Sequence, residues 1–271
     1  MTTVALTTPP PLTGAALIQR AARYRDLIVS LAWEDLKVRY KSPVLGFLWT
    51  LVLPLVLVVI FSFIFTAIVP VDIPHFPLFL LAGLFPWNFL ALCLGNGTTV
   101  LVSHGPLIKN LPFSRMAIPL AIVLTQLVHF CIDLCLMLAV CPFFHVTWRW
   151  GWLGLPFVMG LQTLLTLGLV LLTSTLHVHY RDMKYLVEVV LTGWFYLTPI
   201  FYTPTMVPRS WQPYYFLNPM AGIVTLYRTL ILGLPAPGPI MILYLAVAGI
   251  ACCAVGVSVF QRFAGRMADL V

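Results

Sequence analysis

Charge is scarce in this chain. Of its 271 residues only 8% are Asp, Glu, Lys or Arg, and only eight are acidic. A water-soluble domain carries roughly a quarter charged residues, so a solvated globule is excluded. No lysine follows a glycine, so the phosphate loop G-x-x-x-x-G-K-[ST] is missing and nothing here cradles a nucleotide in that way. The cysteines form no disulfide framework either. Cys93, Cys131, Cys135, Cys141, Cys252 and Cys253 lie in or beside apolar runs and read as small packed side chains. Cys131 and Cys135 share a helix face at i, i+4, the spacing that could hold a metal, but interhelical packing is the expected role and no metal centre. The net charge of +7 does not point to nucleic acid, because the basic residues flank apolar runs rather than build a soluble patch.

What is abundant is apolar length: 61% of the residues are hydrophobic and the mean hydropathy is +1.00. A helix crosses ~30 Å of hydrocarbon with about 20 residues. Runs at 44–69, 78–102, 116–144, 152–176, 185–202 and 240–260 fit this length, so the expected fold is an all-α membrane protein with six transmembrane helices. The first run, about 39 Å long as a helix, should tilt, and Pro54 should kink it. The first 19 residues lack a basic stretch before a short apolar core and are not expected to be a signal peptide. Residues 1–23 read as a flexible tail, 24–262 as the membrane domain and 263–271 as a second tail.

Six spans put both termini on one side. With that side cytoplasmic, Arg20, Arg23, Arg25, Lys37, Arg39, Lys41, Lys109, Arg115, Arg181, Lys184, Arg262 and Arg266 lie inside, against Arg149, Arg209 and Arg228 outside. That bias fits the positive-inside rule. Residues 203–233 are too apolar for a solvated loop, while Pro204, Pro208, Pro213 and Pro219 forbid one continuous helix. Two short re-entrant helices turning near Leu217–Pro219 are expected, with a loop on the membrane surface as the alternative.

Ahead of the first span, Tyr24–Lys41 suits an amphipathic interfacial helix. Asp26, Ser30, Glu34, Lys37 and Lys41 form a polar stripe, opposed by Leu27, Ile28, Leu31 and Val38. Glu34 and Lys37 are spaced for an i, i+3 pair. Arg25, Asp35 and Arg39 intrude on the apolar side and need headgroups or another protein as partners. Ser42-Pro43 should end the helix.

The stretch "LKVRYKSPVLGFLWTLVLPL" resembles the opening of type-2 ABC exporter permeases for polysaccharides, the membrane subunits of O-antigen, teichoic acid and capsule exporters. It keeps Arg39-Tyr40-Lys41, Leu45-Gly46-Phe47-Leu48-Trp49 and Pro54 of that pattern. Three later segments are similar in the same order: "LIKNLPFSRMAIPLA", "YRDMKYLVEVVL" and "LNPMAGIVTLYR". The likeness spans about Tyr24 to Arg262 and implies a division of labour. ATP and Mg would be bound by two copies of a cytoplasmic nucleotide-binding subunit, this chain having no cofactor and no enzymatic activity of its own. Two copies of the chain would enclose a path for a lipid-linked polysaccharide in a bacterial inner membrane. The implied ATPase-coupling residues are Glu34, Asp35, Lys37, Arg39 and Tyr40, with Leu107, Ile108, Lys109, Leu111 and Phe113 on the next inside loop.

Aromatic residues are the main clue to cargo. Trp49, Phe61, Phe65, Trp194, Tyr196, Tyr202, Trp211, Tyr214 and Tyr215, with Asn218, are candidates for a path or outer gate, since aromatic faces suit sugar rings. Membrane-interface belts are the competing explanation, and Trp148, Trp150 and Trp152 read that way. Arg181 and Asp182 would stabilise the inner loop or meet an anionic lipid headgroup; Arg228 would meet lipid phosphate or cap its helix. His129 and Asp133, one turn apart within the third span, are intramembrane polar groups with a gating or interhelical role. The leading reading is an O-antigen-type export permease. Alternatives are a teichoic acid or capsule permease, a small-molecule exporter and an intramembrane polyprenyl-phosphate enzyme.

Overall fold

The computed structural model describes residues 14–39, 45–64, 73–106, 114–208 and 210–265, and of these all the long elements are helices. They are α1 (Gly14–Arg39), α2 (Leu45–Phe63), α3 (Phe76–Ser103), α4 (Ala117–Val140), α5 (Leu155–His179), α6 (Met183–Leu197), α7 (Gln212–Tyr215), α8 (Pro219–Leu232) and α9 (Pro239–Ala264). Among the described residues four stretches are long and apolar enough to cross a membrane: α3, α4 with its 3-10 extension to Phe144, α5 with the 3-10 turn from Trp150, and α9.

α3 is the centre. Of its most apolar window 78% is buried, against 17% for α9 at the periphery. α2, α4, α5, α6 and α8 all pack on α3, α1 lies along α4, and α9 runs against α5. The last contact depends on small residues. Gly168 of α5 meets the backbone of Cys252 and Cys253, Gly256 meets Gly168, and Gly249 meets the Leu161 carbonyl. A Cβ at Gly168 or Gly256 would overlap main-chain atoms of the facing helix. The small positions of α9 therefore serve a contact inside the chain, the kind of close approach that replaces hydrophobic driving force between membrane helices.

Three boundaries differ from expectation. α1 begins at Gly14, so residues 14–23 are helical rather than a tail; Ala15 to Ala22 contain good helix formers and no proline or glycine. The fifth apolar run stops being helical at Leu197. Thr198 precedes Pro199 and is forced extended, with φ −97° and ψ 137°. The 203–233 segment holds a 3-10 turn at Pro204–Met206, the single turn α7 and the longer α8, so the expected two short helices are very unequal.

α8 starts and ends on local signals. Asn218 caps it by accepting from the Met220 N–H at 3.0 Å, and Pro219 occupies the first turn, where its missing N–H costs nothing. Gly233 closes it with φ 75°, a conformation that L side chains resist.

Candidate functional site

The end of the molecule formed by the 198–233 segment is built around a buried cation. Arg228 of α8 is 2% exposed and lies 3.4 Å above the Phe79 ring centroid. Its guanidinium donates to backbone carbonyls only: Phe79 at 3.2 Å, Ile200 at 2.7 Å, Tyr202 at 3.5 Å, and Pro199. The break after α6 is what frees those carbonyls at 199–202, and Arg228 satisfies them. It neither meets lipid phosphate nor caps its helix; it is an internal clasp. Gly83 leaves the room, since a Cβ there would come 2.9 Å from Nη2.

A second clasp sits beside it. Trp194 Nε1 donates to Asn218 Oδ1 at 2.7 Å, while Asn218 Nδ2 donates to the Leu197 carbonyl at 3.1 Å and to Thr198 Oγ1 at 3.2 Å. With its cap on Met220, Asn218 ties the end of α6 to the start of α8. Tyr244 of α9 donates to the Leu217 carbonyl at 2.5 Å and fixes the same turn. Below this turn a cavity of about 490 Å³ opens between Ile73, Phe79, Thr203, Phe216, Arg228 and Leu234.

The aromatic candidates divide into two groups. Phe61 and Trp194 belong to a packed column: Phe61 meets Phe201 in a tilted contact at 4.2 Å, Phe201 meets Phe195 at 5.3 Å, and Trp87 meets Phe195 and Trp194 at 5.5 and 6.1 Å. Tyr196, Trp211 and Tyr214 are exposed, the last two paired at 6.0 Å. Tyr202 lies between, its ring 6.2 Å from Tyr215 and its hydroxyl donating to the Tyr196 carbonyl at 3.3 Å. Of the three tryptophans between α4 and α5, Trp148 and Trp150 are exposed, but Trp152 donates to the Ile231 carbonyl and anchors α8. The side chain of Trp49 and all of Phe65 lie outside the described residues.

At the other end, α1 presents the expected faces. Asp26, Ser30, Glu34 and Lys37 are exposed, Ala32 is buried, and Thr125 of α4 donates to the Ala32 carbonyl at 3.4 Å. The expected Glu34–Lys37 pair does not form. Lys37 places its ammonium 5.6 Å from the Trp33 ring centroid instead, trading a weak solvated ion pair for a cation–π contact. Arg25 is exposed and paired with Asp26 at 3.0 Å. Asp35 borders a cavity of about 340 Å³ with Leu31, Glu34, Val100, His104 and Ile118, and its buried Oδ2 has no partner among the described residues. Burial raises the Tyr24 phenol above its ordinary range, and a hydrogen bond with Ser114 holds part of that back. Arg115 hydrogen-bonds the Ala264 carbonyl and so joins the start of α4 to the end of α9. Leu107, Ile108, Lys109, Leu111, Phe113 and Tyr40, and the Arg39 side chain, lie outside the described residues.

Two further groups complete the picture. Arg181 and Asp182 border a cavity of about 430 Å³ at the end of α5, with Thr99, Ser103, His177, Lys184 and Tyr185. His129 is buried on α4 with Asp133 half-buried one turn on, and Gln126 completes that face with neither amide atom hydrogen-bonded among the described residues.

The sequence reading passed over the exposed side of α6. Of its fifteen residues only Val187 is buried, and Tyr185, Glu188, Val189, Thr192 and Tyr196 stand on one open face. The signal was available: a carboxylate with a hydroxyl at i+4 inside an otherwise apolar run.

A bundle of apolar helices, four of them among the described residues long enough to span a membrane, with one clasped end and one open polar-striped helix, defines a helical membrane protein. Residues 26–232 match the family model for ABC-2 type transporters, and the chain belongs to that family. It is 34% identical, over 91% of its length and 95% of theirs, to O-antigen export system permease protein RfbA of Klebsiella pneumoniae. It is 31% identical over 84% of its length to the protein of that name from Myxococcus xanthus, covering 89% of that chain. Polysialic acid transport protein KpsM of Escherichia coli is 24% identical over 74% of this chain and 79% of its own.

Proposed function

We propose that this chain is the permease subunit of an ATP-driven exporter that moves a lipid-linked polysaccharide of O-antigen type across a bacterial inner membrane. The observation that carries this is likeness over nearly the whole length to proteins named as O-antigen export permeases. In this reading α2 and α6 also cross the membrane, making six spans, and α7–α8 form a re-entrant pair at the outer face. Both termini are cytoplasmic. Two copies pair around a passage, and two copies of a cytoplasmic nucleotide-binding subunit supply the work through α1 and the loop at 107–113.

The packing supports this division. α2 and α6 flank α3 and leave Leu55, Val59, Phe63, Val189 and Tyr196 exposed, which gives the paired copies a wall to share. α1 carries its charge outward on a helix already seated against α4, as a lever for a soluble partner requires. The inner cavity with Arg181 and Lys184 suits the anionic head of a lipid carrier.

Deleting the gene should abolish surface polysaccharide and leave lipid-linked polymer inside the cell. Complementation should need an ATPase partner with an intact phosphate loop. Charge reversal at Glu34 and Lys37 should uncouple ATP hydrolysis from export while insertion stays normal. Unchanged surface polysaccharide in the deletion strain overturns the function; unchanged export in the reversal variants overturns the coupling role of α1.

A further inference from the structure

Glu188 stands on the open face of α6, five residues from the helix start and so about 8 Å from its inner end. No hydrogen bond or ion pair reaches its carboxylate among the described residues. Thr192, one turn on, spends its hydroxyl on the Glu188 carbonyl at 2.8 Å, not on the carboxylate. Lys184, one turn below, lies over the Tyr185 ring at 4.6 Å. Tyr185, Glu188, Thr192 and Tyr196 fall within one narrow stripe at 100° per residue, so the charge heads a column of oxygen-bearing side chains.

A carboxylate on an open helix face inside a membrane has three surroundings to choose from. Hydrocarbon is the costliest. A second copy related by a two-fold axis along the membrane normal brings Glu188 to the same level, like charge against like. Among the described residues Arg228 is the only Lys or Arg on a helix well away from the inner surface, and it is 2% exposed and spent on carbonyls. A water-filled passage remains, and there a carboxylate accepts hydrogen bonds from hydroxyls.

We propose that Glu188 is the charge filter of the passage, restricting export to glycans whose repeat units carry no carboxylate or phosphate. This rests on the polysaccharide-exporter reading above. The order of charges along α6 matches such a cargo. The cavity holding Arg181 and Lys184 receives an anionic head, which passes once per chain, and Glu188 lies just beyond it, where every repeat unit must pass. Sugar hydroxyls donate to the carboxylate and slide on. A polymer with an anion in each repeat meets repulsion at every step, in surroundings less polar than water, where charges interact more strongly.

The test uses the full permease with its ATPase subunit in a host deleted for other exporters, given two probes: a lipid-linked neutral hexose homopolymer and a lipid-linked sialic acid homopolymer. Surface display per protein copy is measured for each. Wild type should favour the neutral probe by roughly tenfold, and Glu188→Gln should raise display of the anionic probe by about fivefold, with the neutral probe within about twofold. Thr192→Glu, a second carboxylate one turn further along, should lower the anionic probe again and spare the neutral one. An unchanged ratio in Glu188→Gln overturns the filter. So does an equal fall for both probes that a Lys184→Glu, Glu188→Lys exchange restores, since that marks an ion pair between copies. If wild type displays neither probe, the exporter reading itself falls.

Discussion

α6 and α8 are almost the same length, similarly apolar, and separated by only 21 residues, yet they have opposite fates. α8 buries nine of its fourteen residues, including Tyr227 and Arg228; α6 buries one of fifteen. Apolar composition therefore does not fix which helix is body and which is wall. The polar atoms do. α8 is held by an arginine saturated with carbonyls and by an asparagine cap, both reaching across to the residues after α6. α6 is tied by hydrogen bonds at its Leu197 end, through Asn218; one face packs on α3 and the opposite face lies open along its length. A helix tethered at one end and open along one side suits a surface that must admit and release a polymer.

The largest test of this contrast is Arg228→Met. It removes the donors to several buried carbonyls while filling the same space, and each lost charge-assisted bond is worth about 1.5–3 kcal/mol. Thermal stability in detergent should fall by at least 3 kcal/mol, roughly 6–12 °C for a chain of this size. Arg228→Lys should recover a minority of the loss, because an ammonium cannot span the same carbonyls. A fall under about 1 kcal/mol in the methionine variant would show that the clasp is ornamental and α8 no more fixed than α6.

Next is the α5–α9 seam. Gly256→Ala places a methyl against the Gly168 backbone, where neither side has a flexible atom to move. Overpacking of this kind costs about 1–3 kcal/mol. Gly160→Ala, with open space at its Cβ, is the matched control and should shift the melting temperature by less than a degree or two. Equal effects at the two glycines would undo the claim that this seam is a close contact within one chain.

Asn218→Ala should cost about 1–2 kcal/mol, from the lost cap and the lost donors to Leu197 and Thr198. Asn218→Asp keeps the cap and should fall about half as far. Both should raise protease sensitivity around 197–203 more than elsewhere. Even cutting across the chain would mean that Asn218 does not join the two helices.

How much of this was legible in the sequence depends on which force set each feature. Hydropathy located α3, α4, α5 and α9 to within a few residues, because length and apolarity alone determine a buried or spanning helix. The prolines marked every start in the 203–233 region, and "LNP" marked the turn, because proline and asparagine act locally. The family likeness rested on ordered short motifs and was confirmed across 26–232. What the sequence hid was long-range pairing. Arg228 reaches Phe79, 149 residues away, and no spacing rule shows that. Lys37 chose Trp33 over Glu34 because both partners stood within one turn and only geometry decides between them. Trp194, a path candidate by type, is tied to Asn218 by a hydrogen bond that no spacing rule shows, and the exposure of Glu188 is hidden inside an apolar run.

The smallest stability effect belongs to the open face of α6. Tyr196 is 67% exposed and contributes only its backbone carbonyl to the Tyr202 hydroxyl, so Tyr196→Ala leaves that bond in place. Its stability should stay within about 0.5 kcal/mol of wild type, as for surface positions generally. Export should nonetheless slow, because the ring offers an apolar face with a polar tip to passing sugars. Tyr196→Phe, keeping the face and losing the tip, should lie between. The decisive reading is the ratio of the two effects: a variant that melts like wild type but exports poorly marks α6 as a working wall. Should Tyr196→Ala instead melt as low as Asn218→Ala while exporting normally, α6 would be packed body like α8, and the contrast between them would vanish.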